Sequence, residues 1–372
     1  MKMRRKEVKM NLKPKRKIII LLTLGIVFGL FLFTANLNFN LGISNKFSDY
    51  TADSNLNKEN LKLSTISGKI HIDNNWTAAK AAGICTGSGS YSDPYVIEDL
   101  EVDGGSSRTC ILIENSNVFF RIEDCNVYSS GDYPTAGIML NNTNNGHLID
   151  NVCSPNFSGI SLYNSHNNTI SRNTANNYNN GYGILLWDCD NNTVSGNIAS
   201  HNSVGISLHI GGAENNDITG NNLLSNYYGM QIWVGSDNII SRNVISNNSV
   251  GIEFMPGAHD NDVYLNCFIE NGLNAHDGEW NNRWDNGIKG NYWDNYTGSD
   301  TNGDGIGDVP YNIAGPVGSQ DNFPLMKCPF PPTQDIGGIP IELIVLISVI
   351  SGGAVIGVAT ILLFIRKKKR IE

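Results

Sequence analysis

Along the middle of the chain, apolar residues come in short runs at period two, and the runs return at a fixed interval. A glycine followed by an apolar pair begins at Gly137 (GIML), Gly159 (GISL), Gly183 (GILL), Gly205 (GISL), Gly229 (GMQI) and Gly251 (GIEF), at intervals of 22, 24, 22, 24 and 22 residues. A second marker follows with similar spacing, at Asn151, Asn173, Asn197, Asn221, Asn243 and Asn266. Between the markers sits an apolar residue, read as Ile149, Ile170, Val194, Ile218, Ile240 and Val263. A repeat of this length marks a solenoid. The runs are of strand length and are bounded by Asn, Gly and Ser, and none keeps helical spacing. Three short strands joined by turns use up about 22 residues, which is one coil of a parallel β-helix whose coils lie about 4.8 Å apart.

This arrangement predicts its own core. Ile138, Ile160, Ile184, Ile206, Met230 and Ile252 form one inward stack, and Leu140, Leu162, Leu186, Leu208, Ile232 and Phe254 form its neighbour. A single coil cannot bury these side chains; a pile of coils can. The marker Asn is expected at a turn, where it tolerates left-handed backbone angles and pairs its amide with the Asn above and below. Both ends of a solenoid expose strand edges and need covering. Trp76 to Ala82, stopped by Gly83, is a short helix-prone stretch suited to the N-terminal end. The repeat dissolves after Cys267 into Trp280, Trp284, Tyr292, Trp293 and Tyr296, which are expected to close the other end.

Composition agrees. The chain of 372 residues has 52 Asn, 39 Gly and only 16% charged residues, a mixture that disfavours helical bundles and doubly wound α/β folds. The charge is segregated. Residues 2–17 hold nine Lys or Arg, and residues 366–370 read Arg-Lys-Lys-Lys-Arg, whereas residues 36–338 hold 12 basic against 32 acidic residues, a net −20. Such a surface repels nucleic acid. The basic clusters flank two apolar runs, residues 18–35 and 343–365, each long enough to approach or cross a hydrocarbon core of roughly 30 Å. The positive-inside rule puts residues 36–338 outside the cell and the C-terminus in the cytoplasm. Residues 1–35 are then a basic segment with either a signal anchor or a cleaved signal peptide. Residues 36–69 are a linker, 70–282 the β-helix with its N-terminal cap, 283–326 an aromatic C-terminal cap, 327–340 a Pro-rich linker, and 341–372 a transmembrane anchor with a basic tail.

Seven sequons, at Asn75, Asn141, Asn156, Asn167, Asn191, Asn247 and Asn295, permit glycosylation. The seven cysteines contain no CxxC, which disfavours zinc. Most fall where other coils carry small apolar residues and read as buried small hydrophobes. A disulfide such as Cys85 with Cys110 is one pairing among several.

Four constellations bear on chemistry. Asp300, Asn302 and Asp304, with Gly305, the Ile306 carbonyl and Asp308, follow the oxygen-donor spacing of a calcium loop. Position twelve is Tyr311 rather than Glu, so Asp321 is the candidate for the missing carboxylate, and the site would be a structural Ca²⁺ brace. An outward row of Asn141, Tyr163, Trp187, His209, Trp233 and Met255 predicts a flat aromatic face for sugar rings, with Tyr163, Trp187, His209 and Trp233 as the ligand-binding residues. For catalysis, the close acid pairs are Asp188/Asp190 and Asp260/Asp262, which a glycoside hydrolase would need at a defined separation. Lyase chemistry on polyuronates lacks its cation, since Arg172 and Arg242 are the only Lys or Arg from residue 122 to 282.

The Asn/Gly coils, followed by Lys289-Gly-Asn-Tyr-Trp-Asp-Asn-Tyr-Thr-Gly, the Asp300 to Asp308 run with Val-Pro-Tyr, and Asp321-Asn-Phe-Pro-Leu, resemble the NosD-like family over roughly residues 70–326. The overall arrangement, with a C-terminal anchor, resembles archaeal cell-surface members. The resemblance implies an all-β, right-handed parallel β-helix, within a wider group of carbohydrate-binding and sugar-hydrolysing β-helices. The family name also implies copper. The donors present are His166, His209, His259 and Met255, without a dense Met/His cluster. The expected function is therefore a membrane-anchored exterior module that binds glycan. The alternatives are a β-helix glycan hydrolase and a copper maturation factor.

Overall fold

A computed structural model describes residues 65–176, 181–209 and 211–330. Three parallel sheets run the length of a solenoid. The first has ten strands, from Thr65–Ser67 to Tyr292–Trp293; the second has nine, from Ile70–Asp73 to Leu273–Asp277; the third has eight, from Tyr95–Glu98 to Asp262–Tyr264. Each strand pairs with its equivalent in the next coil, which is the defining topology of a parallel β-helix. Both apolar runs proposed to meet the membrane lie outside the described residues, among which no helix is long and apolar enough to cross one.

The register places the expected stacks on the axis. Ile138, Ile160, Ile184, Ile206, Met230 and Ile252 are consecutive partners in the second sheet, as are Leu140, Leu162, Leu186, Leu208, Ile232 and Phe254, and all are 0% exposed. Each such side chain contributes roughly 1.5–3 kcal/mol of burial. One assignment shifts by a residue: Leu148, not Ile149, is the partner of Ile170 and faces inward. The marker glycines have a steric cause. A Cβ on Gly183 or Gly205 would stand 2.5 Å from the carbonyl oxygen of the next marker glycine, so only Gly lets the coils approach there.

The Asn excess builds three ladders rather than one. The expected ladder runs Asn151, Asn173, Asn197, Asn221, Asn243, Asn266 and on to Asn291. A second runs Asn168, Asn192, Asn216, Asn238, Asn261, Asn282, and a third Asn202, Asn226, Asn248, Asn271. In each step the backbone N–H of one Asn donates to the Oδ1 of the next, and the Nδ2 does so too in every step but Asn168 to Asn192. The left-handed residue is the one before the ladder Asn, such as Gly196 before Asn197 (φ 65), Arg172 before Asn173 (φ 56) and Asn191 before Asn192 (φ 57). The ladder Asn is thus selected for its amide, and its neighbour bears the backbone bend. Cys125 occupies the first ladder's row one coil before Asn151, whose Oδ1 accepts the Cys125 N–H.

Because the backbone N–H groups along a ladder all donate in the same direction, each ladder needs an acceptor at its end, and each ends near a carboxylate. Asp321 accepts from the Asn291 N–H and the Trp293 indole. Asp277 accepts from Asn282, Trp284 and Ser319. Asn271 passes through Asn274 to Asp294. Asp321 is fully buried, and desolvation pushes its carboxyl up to about 6 against the opposing pull of its N–H donors. Its folded pKa thus exceeds the unfolded value of about 3.9, so the native state keeps a proton that the unfolded chain has released. Its contribution is full below about pH 4 and is lost as pH rises through about 6, a change of roughly 3 kcal/mol. The stability of the protein relative to its Asp321→Asn variant should therefore fall between pH 4 and 7 in urea titrations; a pH-independent difference would refute this.

Aromatic side chains pack at both ends of the described solenoid. The helix Trp76–Ala81 buries Trp76, whose ring stacks on Tyr95 at 4.9 Å and whose indole donates to Ser116. At the other end Phe268, Trp293 and Tyr311 form a face-to-face column with centroids 4.2 and 4.3 Å apart, and Trp284 packs beside it. Trp280 takes no part, being 68% exposed. The disulfide is Cys267–Cys328, which pins the chain beyond the cap to a late coil. Cys85 and Cys110, the pairing named from sequence, are buried free thiols, as are Cys125, Cys153 and Cys189. The Asn156 sequon is also buried, with its amide inside a corner.

Candidate functional site

The outer face of the second sheet carries the aromatic row, in the register that its spacing predicts: Asn141 pairs with Tyr163, Tyr163 with Trp187, and Trp187 with His209. Trp233 follows in the next coil. The rings touch in series. Tyr163 and Trp187 have centroids 6.1 Å apart at 33°, Trp187 and His209 4.4 Å at 15°, and His209 and Trp233 5.2 Å at 34°. This is a column, not the flat panel expected from sequence, because rings one coil apart stack on each other. Their faces are partly spent on one another, and a ligand meets edges and the tilted openings on either side of the Trp187–His209 pair.

Tyr163, Trp187 and Trp233 are partly exposed, while His209 is 9% exposed. Burial raises the Tyr163 phenol to about 12 and lowers the His209 imidazole, so both are neutral at pH 7. Three buried polar atoms on this face, Ser161 Oγ, Ser207 Oγ and His209 Nδ1, make no hydrogen bond within the protein.

Sequence reading missed the row two residues earlier on the same strands. There Gln231, Glu253 and His276 are consecutive partners. The Trp233 indole donates to Gln231 Oε1 at 2.8 Å, and Glu253 Oε1 lies 3.1 Å from His276 Nδ1. Burial raises the Glu253 carboxyl, and His276 opposes that rise. The signal was present as the third letter of GMQI and GIEF, where other coils carry Ser, Leu or Met.

The candidate acids are brought near the column only in part. Asp188 and Asp190 lie in the turn directly after Trp187. Asp190 Oδ1 accepts the Glu214 N–H, and its own N–H donates to His166 Nδ1. Asp260 is paired with its neighbour His259 at 2.8 Å, and Asp262 is held by the Arg283 guanidinium through both oxygens. Each pair lies in or beside a corner, and the cleft between Asn295–Gly298 and Val309–Asn312 includes none of them.

The calcium-type loop is built from Asx turns. Asp300 accepts the N–H groups of Gly303, Asp304 and Gly305, and Asp304 accepts that of Ile306 and an Asn302 amide hydrogen. Asp308 closes the loop by accepting from Ser299 and Thr301, which lowers its carboxyl pKa. Asp321 accepts at the ladder end and from the Phe323 N–H. Among the described residues no three His, Cys, Asp or Glu side chains are grouped to hold a metal.

The coils, their ladders and the decorated outer face define a parallel β-helix repeat protein. The chain belongs to the NosD family, described as "Periplasmic copper-binding protein (NosD)", which matches residues 89–237 and 209–298. No curated protein matches the sequence. Among solved structures the chain is similar to the A-module of the Azotobacter vinelandii mannuronan C-5 epimerase AlgE6, at 17% identity and a TM-score of 0.43, covering 50% of this chain and 55% of that one. It is also similar to the tailspike protein of E. coli bacteriophage HK620, a double mutant in complex with pentasaccharide, at 12% identity and a TM-score of 0.26, covering 59% and 60%. The chain thus spans a little over half of each.

Proposed function

We propose that the protein is an exterior carbohydrate-binding module, held at the membrane by residues 343–365, whose glycan lies along the aromatic column of the second sheet. The observation that carries this reading is the in-register contact of Tyr163, Trp187, His209 and Trp233 with three of the four rings open to solvent. Aromatic edges and tilted faces offer apolar contact to sugar C–H groups, and coil spacing repeats that contact along a chain. Two observations support the exterior setting. The Cys267–Cys328 disulfide belongs to oxidising compartments, and the sequons Asn75, Asn167, Asn191, Asn247 and Asn295 are exposed. The surface charge favours neutral glycans over anionic ones.

Copper, which the family description names, is not the reading taken here. His166 Nδ1 is used by a backbone N–H, His259 is paired with Asp260, and His209 is stacked between two indoles, with Trp233 separating its coil from that of Met255. These donors do not converge and do not fit one ion. Hydrolysis is the lesser alternative, because Asp262 is neutralised by Arg283.

The test is a glycan array followed by titration calorimetry on the best neutral ligand. Trp187→Ala combined with Trp233→Ala should cost at least tenfold in affinity, about 1.4 kcal/mol, at a temperature where circular dichroism shows the variant still folded. Unchanged affinity would remove the column from the site, and release of reducing ends from the bound glycan would replace binding with hydrolysis.

A further inference from the structure

The polar row beside the column has a chemistry of its own. Gln231 is 7% exposed and its Oε1 is taken by the Trp233 indole, so its amide hydrogens are left to face a ligand. The next partner, Glu253, has a side chain 16% exposed, and after it comes His276 at 33%. His276 Nδ1 is buried 3.1 Å from Glu253 Oε1, which leaves the other ring nitrogen, Nε2, to face a ligand. Tyr228 stands on the same face, and its phenol pKa is raised by burial with Tyr227 and Glu253 nearby. From the strand Ala136–Asn141 to the strand Leu273–Asp277, Glu253 is the one carboxylate on this outer face among the described residues. An amide donor, a carboxylate acceptor and an imidazole thus meet at the edge of an indole.

These groups match the hydroxyls of an uncharged sugar. A carboxylate accepts from two hydroxyls, an amide donates to a third, and an aromatic edge covers the C–H side. A uronate would bring a second anion against Glu253 with no Lys or Arg on the face to offset it. Cleavage of a glycosidic bond needs a second carboxylate, which the described residues of this stretch of the face, from Ala136–Asn141 to Leu273–Asp277, do not supply.

We infer that Gln231, Glu253 and His276, with Trp233 and Tyr228, form a polar subsite for one neutral sugar residue, setting the register of a glycan that continues along the column toward Tyr163. The inference rests on the carbohydrate reading and adds a defined end and a selectivity to it. The test uses the full chain and arrays of cello-, laminari-, malto- and manno-oligosaccharides of two to six residues, beside oligogalacturonates of the same lengths. The protein should bind a neutral series and not the uronates. Glu253→Gln and His276→Ala should each weaken binding at least tenfold at every length, including the disaccharide, whereas Trp187→Ala should weaken only the longer ligands. Unchanged melting temperatures exclude unfolding as the cause, and should His276→Ala fail to fold, the near-isosteric Glu253→Gln decides. Loss of binding in the Trp variants with none in Glu253→Gln and His276→Ala would overturn the subsite and leave the column. Uronates bound as tightly as neutral sugars would also overturn it. No binding by the unmutated protein to any probe would overturn both.

Discussion

Asn197→Leu should destabilise the protein by roughly 3–6 kcal/mol, enough to unfold its central coils near room temperature. Asn197 is fully buried in the middle of the first ladder. Its Oδ1 accepts from the Asn173 N–H and Nδ2 at 2.8 and 3.0 Å, and its Nδ2 donates to Asn221 Oδ1 and the Ile170 carbonyl, both at 2.9 Å. Leucine has similar volume and replaces none of these bonds. It strands the Asn173 N–H in the interior, at about 1–3 kcal/mol for an unpaired group, and takes a donor away from both the Ile170 carbonyl and Asn221 Oδ1. The loss falls between coils, where solenoid stability resides, so both neighbours feel it. Urea denaturation followed by circular dichroism measures the effect. Thr193→Ala, on the outer face of the same coil, should stay within about 0.5 kcal/mol and serves as the control. Equal midpoints for the two variants would show that the ladder contributes little.

Reduction of Cys267–Cys328 should cost about 4 kcal/mol on the loop-entropy account. The bond joins residues 61 apart in sequence, and the segment it encloses is the whole C-terminal cap with all three ladder ends, Asp277, Asp294 and Asp321. Opening it frees the cap in the unfolded ensemble. Thermal melts with and without dithiothreitol should differ by several degrees, and Cys328→Ser should melt like the reduced protein and no longer respond to reductant. A melting temperature indifferent to reductant would show that the cap is held by Trp284, Trp293 and Tyr311 alone.

Much of this was legible before any coordinates. The Gly-apolar marker and its period specify the coil, its inward stacks and the sheet on which the aromatic row stands. The second ladder has the same period, yet it was passed over for a physical reason. Its members sit in pairs such as Asn167-Asn168, Asn191-Asn192 and Asn215-Asn216, where one Asn bends the backbone and the other enters the interior. Spacing alone cannot say which does which. The disulfide was likewise out of reach, since Cys328 lies in no coil and its partner depends on where the cap folds back.

The candidate site divides in the same way. Outward parity and the order Tyr163, Trp187, His209, Trp233 follow from alternation along a strand and repetition across coils, both of which are one-dimensional properties. Whether those rings lie flat or stack into a column depends on their tilt, which only packing between coils sets. The Gln231–Glu253–His276 row is similar: three different residue types in three coils carry no repeat signal, and they become neighbours only when the second sheet is wound. By itself the sequence determined the architecture, because a periodic pattern has one way to bury its apolar faces. The tertiary structure decided the chemistry, because hydrogen bonds, ring contacts and the fate of each carboxylate depend on partners far away in the chain.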